Sequence, residues 1–400
     1  MPLDNRDGRP HYPHTMSVGE FVKDNAAVLL LAGAAAGWYA ASFTASEALA
    51  GGKLALRRRV FAQWLPIITL ALVATLAQQT NVALGVLLAS SVAALSLVLG
   101  IVTISHEFGR RPTDAGGFPV VEAHGPVVVE RHHGAVDAPS SSPSVARRVW
   151  AFVLPAAMIL LLAGFTGRLS GMHALLLAVE GLAILSLWNA RGEFDEVDAS
   201  AADVAPRAAP RRAIEFALAI LLALLASWAG LRATLDVSRQ IGLVSGGFVS
   251  ALLVAPALIL PMIGSGMMLA RANLYSGAVS ASVGIVLLNL CFGLPLVIGV
   301  WYAKPLWAGR TERLVAMVTP ANGQPTTAPA VADDPGALAP DPSVRFPISL
   351  WRVDTVVLVV LGLVLLPLAF GRWLPGKFEG VLLVCVYVIY MGLTTWAARA

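Results

Sequence analysis

The run VALGVLLASSVAALSLVLG, Val82 to Gly100, contains no charged residue. In hydrocarbon there is no water to satisfy backbone N–H and C=O groups, so such a run must close its own hydrogen bonds as a helix. A bilayer core of about 30 Å takes roughly 20 helical residues. The chain meets that length repeatedly, in ten apolar stretches at 26–48, 60–79, 82–105, 149–166, 170–189, 213–232, 241–270, 276–302, 354–371 and 380–397. The seventh and eighth run long and are expected to tilt or break. Of the 400 residues 57% are apolar and 13% charged, far from the roughly 25% charge of a soluble domain. The expected fold class is therefore all-α, a polytopic membrane protein of about ten transmembrane helices.

Residues 1–25 form an N-terminal polar segment with His11, Pro13, His14 and Asp24. This is unlike the short basic start of a secretory signal, so the first span is expected to be retained. Cys291 and Cys385 are the only cysteines, and both fall inside expected spans. That excludes a disulfide framework and a zinc cage. The pI near 9.3 reflects Lys and Arg beside span ends, a signal of topology and lipid headgroups before nucleic acid. Lys53, Arg57, Arg58, Arg59 and Arg271 belong to the more basic side. The expectation is a multi-pass plasma-membrane protein with the central loop cytoplasmic and both termini outside. Segments 107–146, 190–212 and 311–346 lack the apolar periodicity to bury a core and read as flexible tethers, with limited proteolysis expected first within 320–342.

The central loop 190–212 divides the spans into halves, 26–189 and 213–397. Five spans per half force the second half to enter the membrane from the opposite face, the arrangement of inverted-repeat transporters. A constant shift of 195 places Leu65-Pro66 on Leu260-Pro261, Gly85 on Ser280 and Ala89 on Gly284, without a gap. Pro66 and Pro261 are the expected helix breaks, in segments 60–105 and 241–302, and should lie centrally, related by a pseudo-two-fold axis in the membrane plane.

Two stretches, LPIITLALVATLAQQTNVALGVLLASSVAA from Leu65 and LPMIGSGMMLARANLYSGAVSASVGIVLLN from Leu260, resemble the alpha-repeats of the sodium/calcium exchanger superfamily. The pattern there runs roughly G-T-S-L-P-E, a short turn, then G-N-x-x-G-S-N-x-x-N. The resemblance implies ten helices in two inverted repeats and alternating access by counter-transported cations, with no cofactor. The departures fall on the chemistry. The acidic positions of the two repeats are Ile67 and Met262, and G-T-S becomes Ala62-Gln63-Trp64 and Ala257-Leu258-Ile259. The serine of G-S-N is Ser90 in one half and Ile285 in the other, and the last asparagine is Asn289 against Ala94. Ca²⁺ prefers six to eight oxygens with carboxylates among them, so Na⁺, K⁺ or H⁺ becomes a candidate beside Ca²⁺.

Ser90, Ser91, Gln63 and Asn289 are the candidate cation-binding residues; the plainer reading is hydrogen bonding to a neighbouring helix or an i−4 carbonyl. Glu180 reads as the only carboxylate well inside a span, a functional candidate by default. The histidines of 107–146 show no regular ligand spacing, and the pairs Gly33/Gly37 and Gly242/Gly246 fit close helix packing. No nucleophile or nucleotide motif appears, so the chain reads as a non-enzyme. Its expected partners are the lipid bilayer and inorganic cations, with the oligomeric state open. Two functions follow: a secondary active cation antiporter with an altered site, or a non-transporting scaffold or partner subunit. A midplane cavity lined by Ser90, Ser91, Gln63 and Asn289 favours the first, and one sealed by Trp64, Met262 and Leu258 the second.

Overall fold

The computed structural model describes residues 25–49, 55–109, 149–190, 209–241, 246–271, 275–303, 344–345, 348–370 and 375–397. The N-terminal polar segment up to Asp24, the acidic run GEFDEVD (192–198) of the central loop, Gly242 and the tethers beyond Gly109 and before Val344 lie outside the described residues. The apolar runs form α1 (Ala26–Ala48), α2 (Ala55–Leu76), α3 (Thr80–His106), α4 (Val153–Thr166), α5 (Gly171–Ala190), α6 (Ala209–Ile241), α7 (Gly247–Arg271), α8 (Gly277–Ala303), α9 (Ile348–Ala369) and α10 (Lys377–Ala397). Seven of them are long and apolar enough to cross a membrane; the apolar parts of α4, α5 and α9 are shorter. The sixth helix extends well past the expected 213–232 and begins inside the expected central loop. The tether expected at 311–346 also holds a strand: Val344–Arg345 pairs antiparallel with Arg168–Leu169, beside the left-handed Gly167 (φ 65°) that ends α4.

Among the described residues the helical ladder is irregular at three places. π turns occupy Ala94–Val98 in α3, Ser250–Val254 in α7 and Asn289–Gly293 in α8. The first and third coincide under the shift of 195, which carries Ala94 to Asn289 and Val98 to Gly293. Pro66 and Pro261, the expected breaks, instead lie inside helices that continue through them. A proline removes one N–H and bends a helix; here the remaining ladder carries the chain through.

Packing mirrors the sequence repeat. α1 packs on α6, α4 on α9 and α3 on α8; α2 against α8 is matched by α7 against α3, α3 against α10 by α8 against α5, and α6 against α2 by α1 against α7. Exchanging each helix for the one five places away thus maps the neighbours onto themselves, with one exception, the contact of α7 with α10. A two-fold relation between halves produces this pattern. α3 and α8 are enclosed by the others, and Leu84, Leu87, Leu88 and Leu95 are fully buried. α5, α6 and α10 present Leu175, Leu182, Leu225 and Val388 outward, as helices facing acyl chains do.

Candidate functional site

The first residue of the α8 π turn, Asn289, is fully buried against α2 and α3. Its Nδ2 donates to Ser90 Oγ at 3.0 Å and to Ser91 Oγ at 3.1 Å. Its Oδ1 accepts from Trp64 Nε1 at 3.0 Å. The indole N–H is a donor only, so it fixes the amide orientation: oxygen toward Trp64, nitrogen toward the serines. Ser91 Oγ passes its own hydrogen to the carbonyl of Leu87 at 2.7 Å, and Ser90 Oγ to the same carbonyl at 3.3 Å. Both are i−3 or i−4 back-bonds of a crowded helix. Every polar atom of the cluster therefore faces another side chain or the backbone.

The place related by the shift of 195 holds Ile259, Ala94, Ile285 and Val286, all fully buried. The polar cluster is one-sided. Ile67 and Met262, at the acidic positions of the resemblance, are both buried. Among the described residues no three His, Cys, Asp or Glu side chains converge.

Gln63 is not part of this cluster. It precedes Trp64, and successive helical residues point about 100° apart, so its amide reaches α7 instead and donates to Ser265 Oγ at 2.6 Å. Its Oε1 is buried without a partner. Around it lies a cleft of about 190 Å³ bounded by α1, α2 and α7, with Pro261 in one wall.

The expectation that Glu180 is the only carboxylate within a span needs correction. Asp354 is fully buried in α9, its Oδ1 accepting from Tyr390 Oη of α10 at 2.8 Å, while Oδ2 has no partner. Asp354 opens the apolar run of its span, so by sequence it reads as interfacial; the tyrosine that covers it lies 36 residues away. The carboxylate of Glu180 is buried and faces the backbone of Ala156 in α4. Its neighbour Gly181 brings the α5 backbone against the carbonyl of Cys291, in the α8 π turn. Gly37 packs on Ala226 as expected for a small-residue contact, whereas Gly33 faces open space.

The sequence matches no known protein-family profile and no curated protein. Solved structures do match. Native YfkE superposes with a TM-score of 0.54 at 14% identity, covering 92% of this chain and 90% of its own. The selenium-substituted Ca²⁺/H⁺ antiporter protein YfkE gives 0.53 at 15% identity over 92% and 91%. The H⁺/Ca²⁺ exchanger CAX gives 0.52 at 11% identity over 93% and 88%. What the chain shares with these exchangers, along most of its length, is their polytopic helical fold.

Proposed function

We propose that the chain is a secondary active cation antiporter of the exchanger fold, in which a monovalent cation is handled at an altered site centred on Asn289, Ser90 and Ser91. One observation carries this reading: the two π turns fall in register under the internal repeat, and one of them begins on the buried asparagine. Single π turns inside α-helices concentrate at functional sites, and a fully buried Asn with two Ser in an apolar bundle is costly unless it is used or closely paired. With Ile67 and Met262 at the acidic positions, the two repeat stretches themselves supply no carboxylate to offset a divalent charge. A monovalent cation is cheaper to dehydrate and suits neutral oxygens. The step required is local: Trp64 leaves Asn289, the amide turns its oxygen toward the serines, and three oxygens then face one space. Gln63 joins only if α2 rotates. The two halves, 26–189 and 213–397, supply the alternating access, the central loop faces the cytoplasm, and the protein resides in the plasma membrane.

A second reading, a non-transporting scaffold, is favoured by the seal itself, since Trp64 caps Asn289 while Met262 and Leu258 are buried beside the same helices. Flux into proteoliposomes, screened over Na⁺, K⁺, H⁺ and Ca²⁺, separates the two. The transporter reading expects a monovalent flux lost in Asn289→Ala, with Na⁺-driven ⁴⁵Ca²⁺ uptake at background. Absence of flux for all four ions selects the scaffold. Robust ⁴⁵Ca²⁺ uptake would falsify the altered-site reading and make Glu180 and Asp354 the first residues to test.

A further inference from the structure

Glu180 stands midway along α5, where Val179 and Leu182 face outward (56% and 61% exposed) while its own carboxylate oxygens are buried. Successive helical residues point about 100° apart, so one step turns the chain from lipid to bundle. Two helices close over the carboxylate. From α4 it meets the backbone of Ala156, whose N–H already bonds Phe152 O at 3.3 Å. From α8 it meets Cys291, and at the next residue, Gly181, an added Cβ would stand 3.0 Å from the Cys291 carbonyl and 2.9 Å from the Phe292 ring. α5 is thus seated directly on the α8 π turn. Neither α4 (Val153–Thr166) nor α8 (Gly277–Ala303) holds a Lys, Arg, Asp or Glu. Among the described residues the titratable group that faces Glu180 from these helices is the Cys291 thiol. On α5 itself the nearest is His173, two turns away and bonded to Ser170.

The two charge states of this carboxyl differ sharply in what they ask of the wall. Ionised, it has no cation on α4 or α8 to offset its charge, and an unpaired charge inside an apolar bundle is expensive. Neutral, it is a hydrogen-bonding side chain about the size of Gln. A bound ion or water would need volume where α5 meets α8, and Gly181 leaves none even for a methyl group. A proton needs no volume. The seat also adjoins the candidate cation site without belonging to it. Cys291 is the third residue of the π turn that Asn289 opens, and two helical steps turn it to the far side of α8 from Asn289. α5 therefore buttresses the back of the turn whose front holds the cluster of Ser90, Ser91 and Asn289.

We infer that Glu180 is a proton-binding site and, through the π turn, a pH-operated latch on α8. With the proton bound, α5 seats on Cys291; loss of the proton to water drives the carboxylate out of the wall, unseats α5 and frees the turn. The effect on cation flux rests on the reading of Asn289 as the cation site, whereas the proton site itself does not.

Infrared spectroscopy of the full chain carrying isotope-labelled glutamate, which separates Glu180 from the buried Asp354, tests the proton site. A protonated-carboxyl band that shifts with the label should persist at neutral pH, where water-facing glutamates are ionised, vanish in Glu180→Gln, and disappear as alkali is added. A band confined to acid pH overturns the proton site. Cys291 reports the seat. With Cys385 replaced by Ala it is the sole thiol, and its labelling by N-ethylmaleimide is divided by the rate in Glu180→Gln at the same pH, so that intrinsic thiol ionisation cancels. The ratio should stay near one while the band is present and rise about tenfold as it disappears, the low end of the cost of an unpaired buried charge. Without unseating, the new charge beside the thiol would lower the ratio instead, so a flat or falling ratio overturns the latch. In proteoliposomes, monovalent flux should rise with pH over the same range and lose that rise in Glu180→Gln. A rise that survives in the variant overturns the coupling to the cation site. Absence of flux at every pH overturns the reading of Asn289, and the band and the labelling ratio still decide the latch.

Discussion

Two hydrogen-bonded groups decide how costly single substitutions are in this bundle. Trp64→Phe keeps the apolar ring but leaves Asn289 Oδ1 buried and unpaired, so a loss of about 1–2 kcal/mol is expected, read as a lower melting temperature in detergent. Asn289→Leu strands the indole N–H and removes the donor to both serines, and should cost more than Trp64→Phe. The second group is Asp354 with Tyr390. Removing the hydroxyl alone, by Tyr390→Phe, leaves a fully buried carboxyl with neither oxygen bonded, and should cost about 2–3 kcal/mol. The double change Asp354→Leu with Tyr390→Phe should cost less than the single one, because no polar group is left unmatched. A double-mutant cycle on unfolding midpoints checks this, and simple additivity would show that the pair does not act as a unit.

At the scale of elements, close helix approach rests on small residues whose surroundings differ sharply. A Cβ added at Gly37 would stand 2.8 Å from the Cβ of Ala226, where α1 meets α6; one added at Gly33, a turn earlier on the same helix, meets nothing within 4 Å. Ala226 Cβ is fixed to its backbone, so the two helices must part. Gly37→Ala should therefore destabilise by about 1–3 kcal/mol, while Gly33→Ala should be neutral or stabilising by up to about 1 kcal/mol through helix propensity. Unfolding in the same detergent compares them directly, and equal effects would refute the packing argument. A similar backbone approach joins Gly100 of α3 to Gly380 of α10, each facing the carbonyl of the other. These contacts leave no room for a side chain between the helices.

For the whole molecule, the mirrored neighbour pattern makes a prediction about sidedness. The end of α1, the start of α2 and the end of α7 meet at the cleft, so they lie on one side of the bundle. The turn between α2 and α3, where Gln78 adopts a left-handed φ of 63°, lies one helix length away. With the exposed Cys385 replaced by Ala, Glu47→Cys and Met268→Cys should react with an impermeant maleimide from the same side, and Gln78→Cys from the other. Labelling of all three from one side would break the inverted arrangement of the halves. Positive-inside bias expects the first side to be cytoplasmic.

The sequence by itself determined where the helices lie and how the halves correspond, since absence of charge and a constant repeat are local properties of the chain. The shift of 195, read from Leu-Pro pairs and small residues, also carries one π turn onto another, five residues for five. Ser90, Ser91 and Asn289 were picked out too, but only through the resemblance of the two stretches to the exchanger repeats; that they touch is a fact of the packing. Only the tertiary structure decided which polar groups pair across helices. Gln63 and Trp64 are adjacent in sequence, yet one reaches Ser265 and the other Asn289, 202 and 225 residues away. Which of them enters the cluster depends on the rotation of α2 about its axis, set by the side chains packed around it. Asp354 shows the same limit. At the edge of an apolar run it reads as a water-facing acid, and its burial is fixed by where α10 places Tyr390, a matter of helix packing that no local pattern encodes.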